Sequence, residues 1–128
     1  MRDGALKKYG NDDIIDVVRR IQNAGIYIIG NYIFGLPDDS VARMQETLDL
    51  SLELKCEFAN FYSAMAYPGS SLYDMAIEEG IELPEEWKDY SQHGYNAKPL
   101  SNNYCSAAEV LEFRDKAFNQ YFSHRPYL

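Results

Sequence analysis

Two apolar segments joined by a helical segment constrain the fold of this chain more than any other feature. Residues 26–34 are β-branched and aromatic on both alternating faces, which is typical of a strand covered from both sides, and residues 58–66 predict a second buried strand. Between them, residues 40–55 carry an apolar stripe at helical spacing. A strand, a crossover helix and a second strand form a βαβ unit, so we expect an α/β fold with two parallel strands.

Three further helices are predicted around this unit. Residues 11–24 repeat apolar side chains at i, i+3, i+4 and i+7. Residues 70–77 form a short helix, and the capping-box pattern of Ser106 and Glu109 opens a final C-terminal helix. Residues 82–103 show no clear period and predict an irregular, aromatic-rich covering segment.

The predicted sheet is small for strands of this character. Two parallel strands leave both sheet edges open and offer little sheet for helices to pack on. Either a third strand lies in an irregular stretch, or the chain is one part of a larger sheet, and we expect the second. A length of 128 residues predicts a single domain over residues 1–128.

Composition excludes several classes of function. A net charge of −8 argues against a nucleic-acid binder, because affinity for phosphates comes largely from clustered Lys and Arg. No apolar run approaches the roughly 20 residues of a membrane span, and the N-terminus lacks the apolar stretch of a signal peptide. We therefore expect a cytoplasmic protein without a membrane partner.

The cysteines and histidines give no metal site. Cys56 and Cys105 are far apart in sequence and cannot by themselves form a four-thiolate centre. His93 and His124 are lone histidines, neither of them four residues from another potential ligand. The sequence predicts no metal ligands and no identifiable catalytic residue.

A candidate ligand site lies where the two predicted strands end. Ligands of parallel α/β folds gather at the carboxyl ends of strands. Asn31 and Ile33 precede Gly35 by four and two residues, so we expect all three to share one face of the first strand. Tyr67-Pro68-Gly69 ends the second strand at the same edge. The alternative is that Gly-Leu-Pro and Pro-Gly-Ser are simply turns.

A set of short motifs in a fixed order resembles a known enzyme family. The motifs are AGI (24–26), YIFGLPDDS (32–40), ETL (46–48), YPGSSLY (67–73) and the tail YFSHRPYL (121–128). Together they resemble the second half of a radical S-adenosylmethionine (SAM) enzyme. The resemblance is greatest to the cobalamin-associated group that includes the anaerobic magnesium-protoporphyrin monomethyl ester cyclase.

The resemblance implies an incomplete (β/α) barrel fragment, in which this chain supplies the fifth and sixth strands and a C-terminal helix. It also implies positions for the family motif G-x-I-x-G-x-x-E, which cradles the adenine of SAM. Ile33 and Gly35 match that motif, whereas Asn31 replaces its first glycine and Asp38 its glutamate. The end of the sixth strand, Ala66 and Tyr67, would close the other side of the adenine.

One family feature is absent. The C-x-x-x-C-x-x-C motif that holds a [4Fe–4S] cluster does not occur in this sequence. The resemblance therefore implies the C-terminal portion of a radical SAM iron–sulfur oxidoreductase, inactive alone, that contributes part of the adenosine cradle and a substrate wall. Its partners would be the rest of the barrel and a small-molecule substrate, and cobalamin stays open as a further cofactor.

Two alternatives remain open. The first is a non-enzymatic α/β interaction module that pairs through exposed sheet edges, for example as a homodimer of the fragment. The second is a small stand-alone α/β enzyme with an acid site at Asp38 and Asp39.

Overall fold

The structure, a computed structural model, describes residues 10–94 and 96–124. It is a mixed α/β fold whose elements follow the predicted order. The elements are α1 (Asn11–Asn23), β1 (Ile29–Phe34), α2 (Val41–Leu54), β2 (Phe58–Ser63), α3 (Ser71–Glu78), a 3-10 turn (Trp87–Tyr90) and α4 (Ala107–Ser123). The last residues of the tail motif, 125–128, lie outside the described residues.

The two strands pair in parallel, as the βαβ pattern predicts. Their register runs from Ile29 opposite Phe58 to Phe34 opposite Ser63. Within the described ranges the sheet consists of these two strands. A hidden third strand is therefore not found in the irregular segments that the structure describes.

The helices cover one face of this sheet. Tyr32 and Phe34 of β1 stack on Phe61 of β2, with ring centroids 5.3 and 5.8 Å apart. Phe113 and Tyr121 of α4 meet these rings edge-on, at centroid distances of 5.1 Å from Phe34 and 5.6 Å from Phe61. This aromatic layer, with Met44 and Leu48 of α2 among its buried members, is the main core.

The opposite face of the sheet differs from the expectation that both faces are covered. Ile29 is 61% exposed, Asn31 is exposed and Ile33 is half-buried. The difference arises because α2 and α4 both pack on the Tyr32 and Phe34 side. On the other side, Ile33 packs against a smaller apolar cluster, and Ile29 stays exposed. Within the part of the chain that the structure describes, the helices bury the face of Tyr32, Phe34 and Phe61, and the other face carries the amides of Asn31 and Asn60.

A second, smaller apolar cluster lies beyond the strand ends. Its buried members come from the loops after both strands, from α3 and from the irregular segment, and they are Leu36, Ala64, Ala66, Ala76 and Leu100. The Leu100 N–H donates to the carbonyl oxygen of Ala64 at 2.8 Å, which attaches the irregular segment to the chain just after β2. The predicted covering role of this segment is confirmed there.

The helix N-termini use the predicted serines. Ser70 accepts from the N–H of Tyr73, and Ser106 accepts from the N–H of Glu109 while the Glu109 carboxylate accepts from the N–H of Ser106. The reciprocal pair confirms the capping box at the start of α4. None of the helices in the described ranges is long and apolar enough to cross a membrane.

Candidate functional site

The carboxyl ends of both strands meet at one edge of the sheet. The Ala64 N–H donates to the carbonyl oxygen of Phe34 at 2.7 Å, so the two segments stay hydrogen-bonded one residue beyond the end of β2. Leu36 from the first loop and Ala66 from the second then lie in the same apolar cluster. The two turns that the sequence singled out are therefore neighbours.

Four side chains, one exposed and three half-buried, form the less covered face of the sheet beside this edge, and we call it the open face. They are Asn31 and Ile33 of β1 with their register partners Asn60 and Tyr62 of β2. Asn60 Nδ2 donates to Asn31 Oδ1 at 3.0 Å across the strands. Asn31 Nδ2 and Asn60 Oδ1 add a donor and an acceptor beside the aliphatic Ile33.

Gly35 does not share the open face with Asn31 and Ile33, contrary to the period-2 expectation. Its φ is +85°, and a Cβ at this position would lie 2.8 Å from Val110 Cγ1 of α4. The alternation fails because β1 ends at Phe34 and the chain then turns through the left-handed region, which glycine adopts readily. The missing side chain makes room for Val110 of α4.

Of the two adjacent aspartates, Asp39 and not Asp38 points into the molecule. Asp38 is exposed, whereas Asp39 is fully buried. Asp39 Oδ2 accepts hydrogen bonds from the N–H groups of Gly35 at 2.9 Å and Leu36 at 3.3 Å. Its other oxygen, Oδ1, has no hydrogen-bond partner among the described residues.

The environment of Asp39 acts on its protonation in opposite directions. Burial raises the pKa of its carboxyl, and this is the largest influence. The N–H donors of Gly35 and Leu36 and the positive charge of Arg43 favour the ionised form and partly offset it. A fully buried carboxyl with a raised pKa beside a loop is the most perturbed acid of the site.

Asn102 is a residue of this region that the sequence analysis missed. Its Nδ2 donates to the carbonyl oxygens of Leu36 at 2.8 Å and Asp39 at 3.1 Å. Its Oδ1 accepts from the N–H groups of Tyr104 and Cys105, both at 2.8 Å. The only sequence signal for it was an Asn shortly before a helix N-terminus, where such side chains often form turns.

Ala66 and Tyr67 occupy different environments. Ala66 is buried in the cluster against which Ile33 packs. Tyr67 is 45% exposed; its ring lies 6.0 Å from that of Tyr90, and its hydroxyl accepts from Gln92 Nε2 at 3.5 Å. Of the predicted residues, the structure thus brings Ile33 and Ala66 together and places Asn31 on the open face.

Gln92 binds the outer side of β2. Its Oε1 accepts from the N–H of Ser63 at 3.1 Å, and its Nε2 donates to the carbonyl oxygen of Ser63 at 2.8 Å. This is the pair of bonds that a further strand would make at Ser63. Arg114 of α4 holds the segment in place through a 2.7 Å bond from Nη1 to the carbonyl oxygen of Gln92.

The described residues contain no group of three His, Cys, Asp or Glu side chains that could hold a metal ion. Cys56 and Cys105 are both buried free thiols, and burial raises the pKa of each. A [4Fe–4S] cluster needs at least three thiolates at one place. The part of the chain that the structure describes therefore does not fit such a cluster.

Comparison with known proteins gives a distant relative but no matching family. No family model matches the sequence. The chain is similar to an uncharacterized methyltransferase of Pyrococcus horikoshii, with 30% identity over 77 residues. The matched segment covers 60% of this chain but 17% of that relative, so the chain spans only a small part of the methyltransferase that it resembles.

Proposed function

We propose that this chain contributes part of the SAM-binding site of a larger radical SAM iron–sulfur oxidoreductase. In this proposal the open face contacts the adenosine of SAM and forms one wall of the substrate pocket. The observation that carries the proposal is the position of the open face, an exposed to half-buried surface beside the carboxyl ends of two parallel strands. The proposed activity belongs to the larger protein and not to this chain alone.

The residues of the open face suit an adenosine group. Ile33 supplies an aliphatic surface for one side of a planar base, and the amides of Asn31 and Asn60 supply a donor and an acceptor for its polar edge. The Gly35 N–H already donates to Asp39 Oδ2, and the Asp38 side chain is exposed. We therefore propose Asn31 and Ile33, with Ala66 behind them, as the contacts for the base.

The distant relative supports the ligand class. Its name gives methyl transfer as its activity. SAM is a common methyl donor, so similarity to a methyltransferase favours SAM as the ligand of this chain. The radical chemistry, the cluster and cobalamin rest on the motif resemblance described above.

The rest of a barrel is the proposed partner. The N–H of Phe58 donates to the carbonyl of Ile28 and that of Ala64 to Phe34, so the even-numbered residues of β1 direct their backbone groups toward β2. The backbone groups of Ile29, Asn31 and Ile33 consequently point to the opposite, outer edge of β1. A neighbouring strand there would extend the sheet, and the iron–sulfur cluster ligands would come from outside the described residues.

Ligand titration followed by NMR tests this proposal on the chain itself. We expect millimolar SAM and 5′-deoxyadenosine to shift the amide signals of Asn31, Ile33 and Asn60 saturably, and Asn31→Ala to weaken the response. Asn23→Ala serves as the matched control, since Asn23 is an exposed asparagine at the end of α1. Absence of any response at the open face, or an equal response in both variants, would contradict the proposal.

A second candidate is an interaction module that pairs through the outer edge of β1. It is favoured by the uncharged sequence of β1 and by the exposure of Ile29 at that edge. Under this candidate the chain forms homodimers without any need for SAM. Light scattering after size exclusion at low micromolar concentration decides the point: a dimer that Ile29→Lys dissociates supports the module, and a monomer removes it.

A further inference from the structure

A buried carboxylate and a side-chain amide hold the loop after β1 from two sides. Asp39 Oδ2 accepts from the N–H groups of Gly35 and Leu36, and Asn102 Nδ2 donates to the carbonyl oxygens of Leu36 and Asp39. The peptide groups on both sides of Leu36 are thus fixed by side chains outside β1. Neither holding side chain belongs to the open face.

The loop is connected to the open face through Leu36. Leu36 is buried in the cluster beyond the strand ends, and Ile33 packs against that same cluster. Close-packed interiors transmit displacement, because there is little free volume to absorb it. If the hydrogen bonds that fix the backbone on either side of Leu36 weaken, Leu36 can shift, and the cluster against which Ile33 packs shifts with it.

We propose that Asp39 is a positioning residue for the ligand-binding open face, and that protonation of Asp39 weakens ligand binding there. The inference rests on the proposed function, because it concerns regulation of the same site. The ionised carboxylate makes charge-assisted bonds to Gly35 and Leu36, and a neutral acid makes weaker ones. Oδ1 has no partner among the described residues, so a proton added there breaks no existing bond and weakens only those at Oδ2.

Among the described residues, α2 and the segment before α4 bring charged or titratable groups near Asp39. Arg43 on α2 favours its ionised form, and the Cys105 thiol approaches from the segment before α4, with Sγ 3.9 Å from the carbonyl oxygen of Asp39. Burial raises the pKa of Cys105, and Glu109 of α4 adds to that effect, so this thiol stays neutral in acid. Asp38, the adjacent residue, is exposed. Burial raises the pKa of Asp39 itself, which brings its titration above the ordinary value of 3.8.

The first measurement needs no ligand. In a pH series of ¹H–¹⁵N spectra of the whole chain, we expect the Gly35 and Leu36 amide protons to shift together, with one midpoint above 3.8. The shift follows from the change in the acceptor at Oδ2. Amide shifts that do not change with pH, or that persist in Asp39→Asn, would overturn the proposal.

The second measurement is the dissociation constant for SAM over the same pH range. We expect it to rise about tenfold as Asp39 is protonated, the size of one weakened charged hydrogen bond. Asp39→Asn, which resembles the neutral acid, should bind SAM more weakly at neutral pH. Its dissociation constant should not rise further as the pH is lowered. Glu46→Gln on α2 removes an equal charge from an exposed position and should keep the wild-type profile.

The two measurements separate this inference from the proposed function. If the amides titrate but SAM affinity does not depend on pH, the positioning role is wrong while SAM binding stands. If SAM does not bind at any pH, the proposed function fails and the positioning role fails with it. If Asp39→Asn does not fold, the wild-type protein still decides the question. Its spectra and affinities show whether the protonation of Asp39 and the affinity for SAM change over the same pH range.

Discussion

The position of a Cβ at Gly35 lies 2.8 Å from Cγ1 of Val110, which is inside the contact distance of two carbon atoms. Gly35 follows β1 and Val110 lies in the first turns of α4, so this contact sets how closely the last helix approaches the sheet. The residue that resembles a ligand-binding glycine thus has a packing role that is independent of any ligand.

We expect Gly35→Ala to destabilise the fold by about 2–4 kcal/mol, from the positive φ and the overpacking against Val110 together. Gly69→Ala is the matched control, because Gly69 also has a positive φ, +90°, but nothing lies within 4 Å of its Cβ position. Its cost should be limited to about 1 kcal/mol of backbone strain. Urea unfolding of the two variants measures the difference, and equal costs would show that Val110 plays no part.

The same contact predicts coupling between two positions. In a Val110→Ala background, the added methyl group of Gly35→Ala has room, so the double variant should be more stable than the sum of the single effects implies. The coupling expected for residues in direct contact is about 0.5–3 kcal/mol. Strict additivity in a double-mutant cycle would be evidence against the contact.

The Asn31–Asn60 pair is expected to matter little for stability. Its amides bond at 3.0 Å on an exposed surface, where water replaces a lost partner, so Asn60→Ala should cost no more than about 1 kcal/mol. Its effect on SAM binding should be larger than its effect on unfolding. Thermal unfolding and ligand titration of the same sample compare the two, and a severe loss of stability would indicate a structural pair.

Global stability should depend on Asp39 with a definite sign. Because burial raises its pKa in the folded state, the native protein binds this proton more tightly than the unfolded chain. The contribution of Asp39 is therefore fully present below its ordinary pKa of 3.8 and is lost as pH rises through the raised value. The unfolding free energy of the wild type relative to Asp39→Asn should fall with rising pH in this window. Ligand affinity is expected to change in the opposite direction, which distinguishes the two effects.

Gln92 should protect the end of β2. Gln92→Ala removes both bonds to the Ser63 backbone, so the Ser63 amide should exchange with solvent faster and the fold should lose about 1–2 kcal/mol. Gln120→Ala, an exposed glutamine on α4, is the control and should change neither quantity. Unchanged exchange at Ser63 in Gln92→Ala would show that other groups protect this amide.

Local pattern was enough to predict most of the fold. The alternation and apolar runs gave both strands, and the crossover length gave their parallel pairing, because each depends on residues close in sequence. The capping box at Ser106 was likewise visible in four consecutive residues. Long-range contacts were not visible: which strand face the helices cover depends on α4, which follows β2 by more than forty residues.

The proximity of the two loops after the strands was predictable, but the positions of their side chains were not. Parallel strands put both loops at one edge, as expected, yet periodicity assigned Gly35 to the wrong face because a positive φ interrupts the alternation. Motif alignment selected Asp38 over Asp39, since neighbouring carboxylates look alike until their burial is known. Asn102 lies in an aperiodic segment, and its two acceptors are more than sixty residues away, so no local pattern reveals it.

The amide of Gln92 makes the two edges of this small sheet different, because it occupies the backbone groups of Ser63 at the outer edge of β2. At the far end of the same strand, the Phe58 ring packs on Phe122 of α4, with centroids 5.4 Å apart. Chains that associate edge to edge need two available sides to grow into fibrils. Gln92 therefore hinders the addition of a strand to β2 at Ser63, so we expect an added strand to pair with the outer edge of β1 instead.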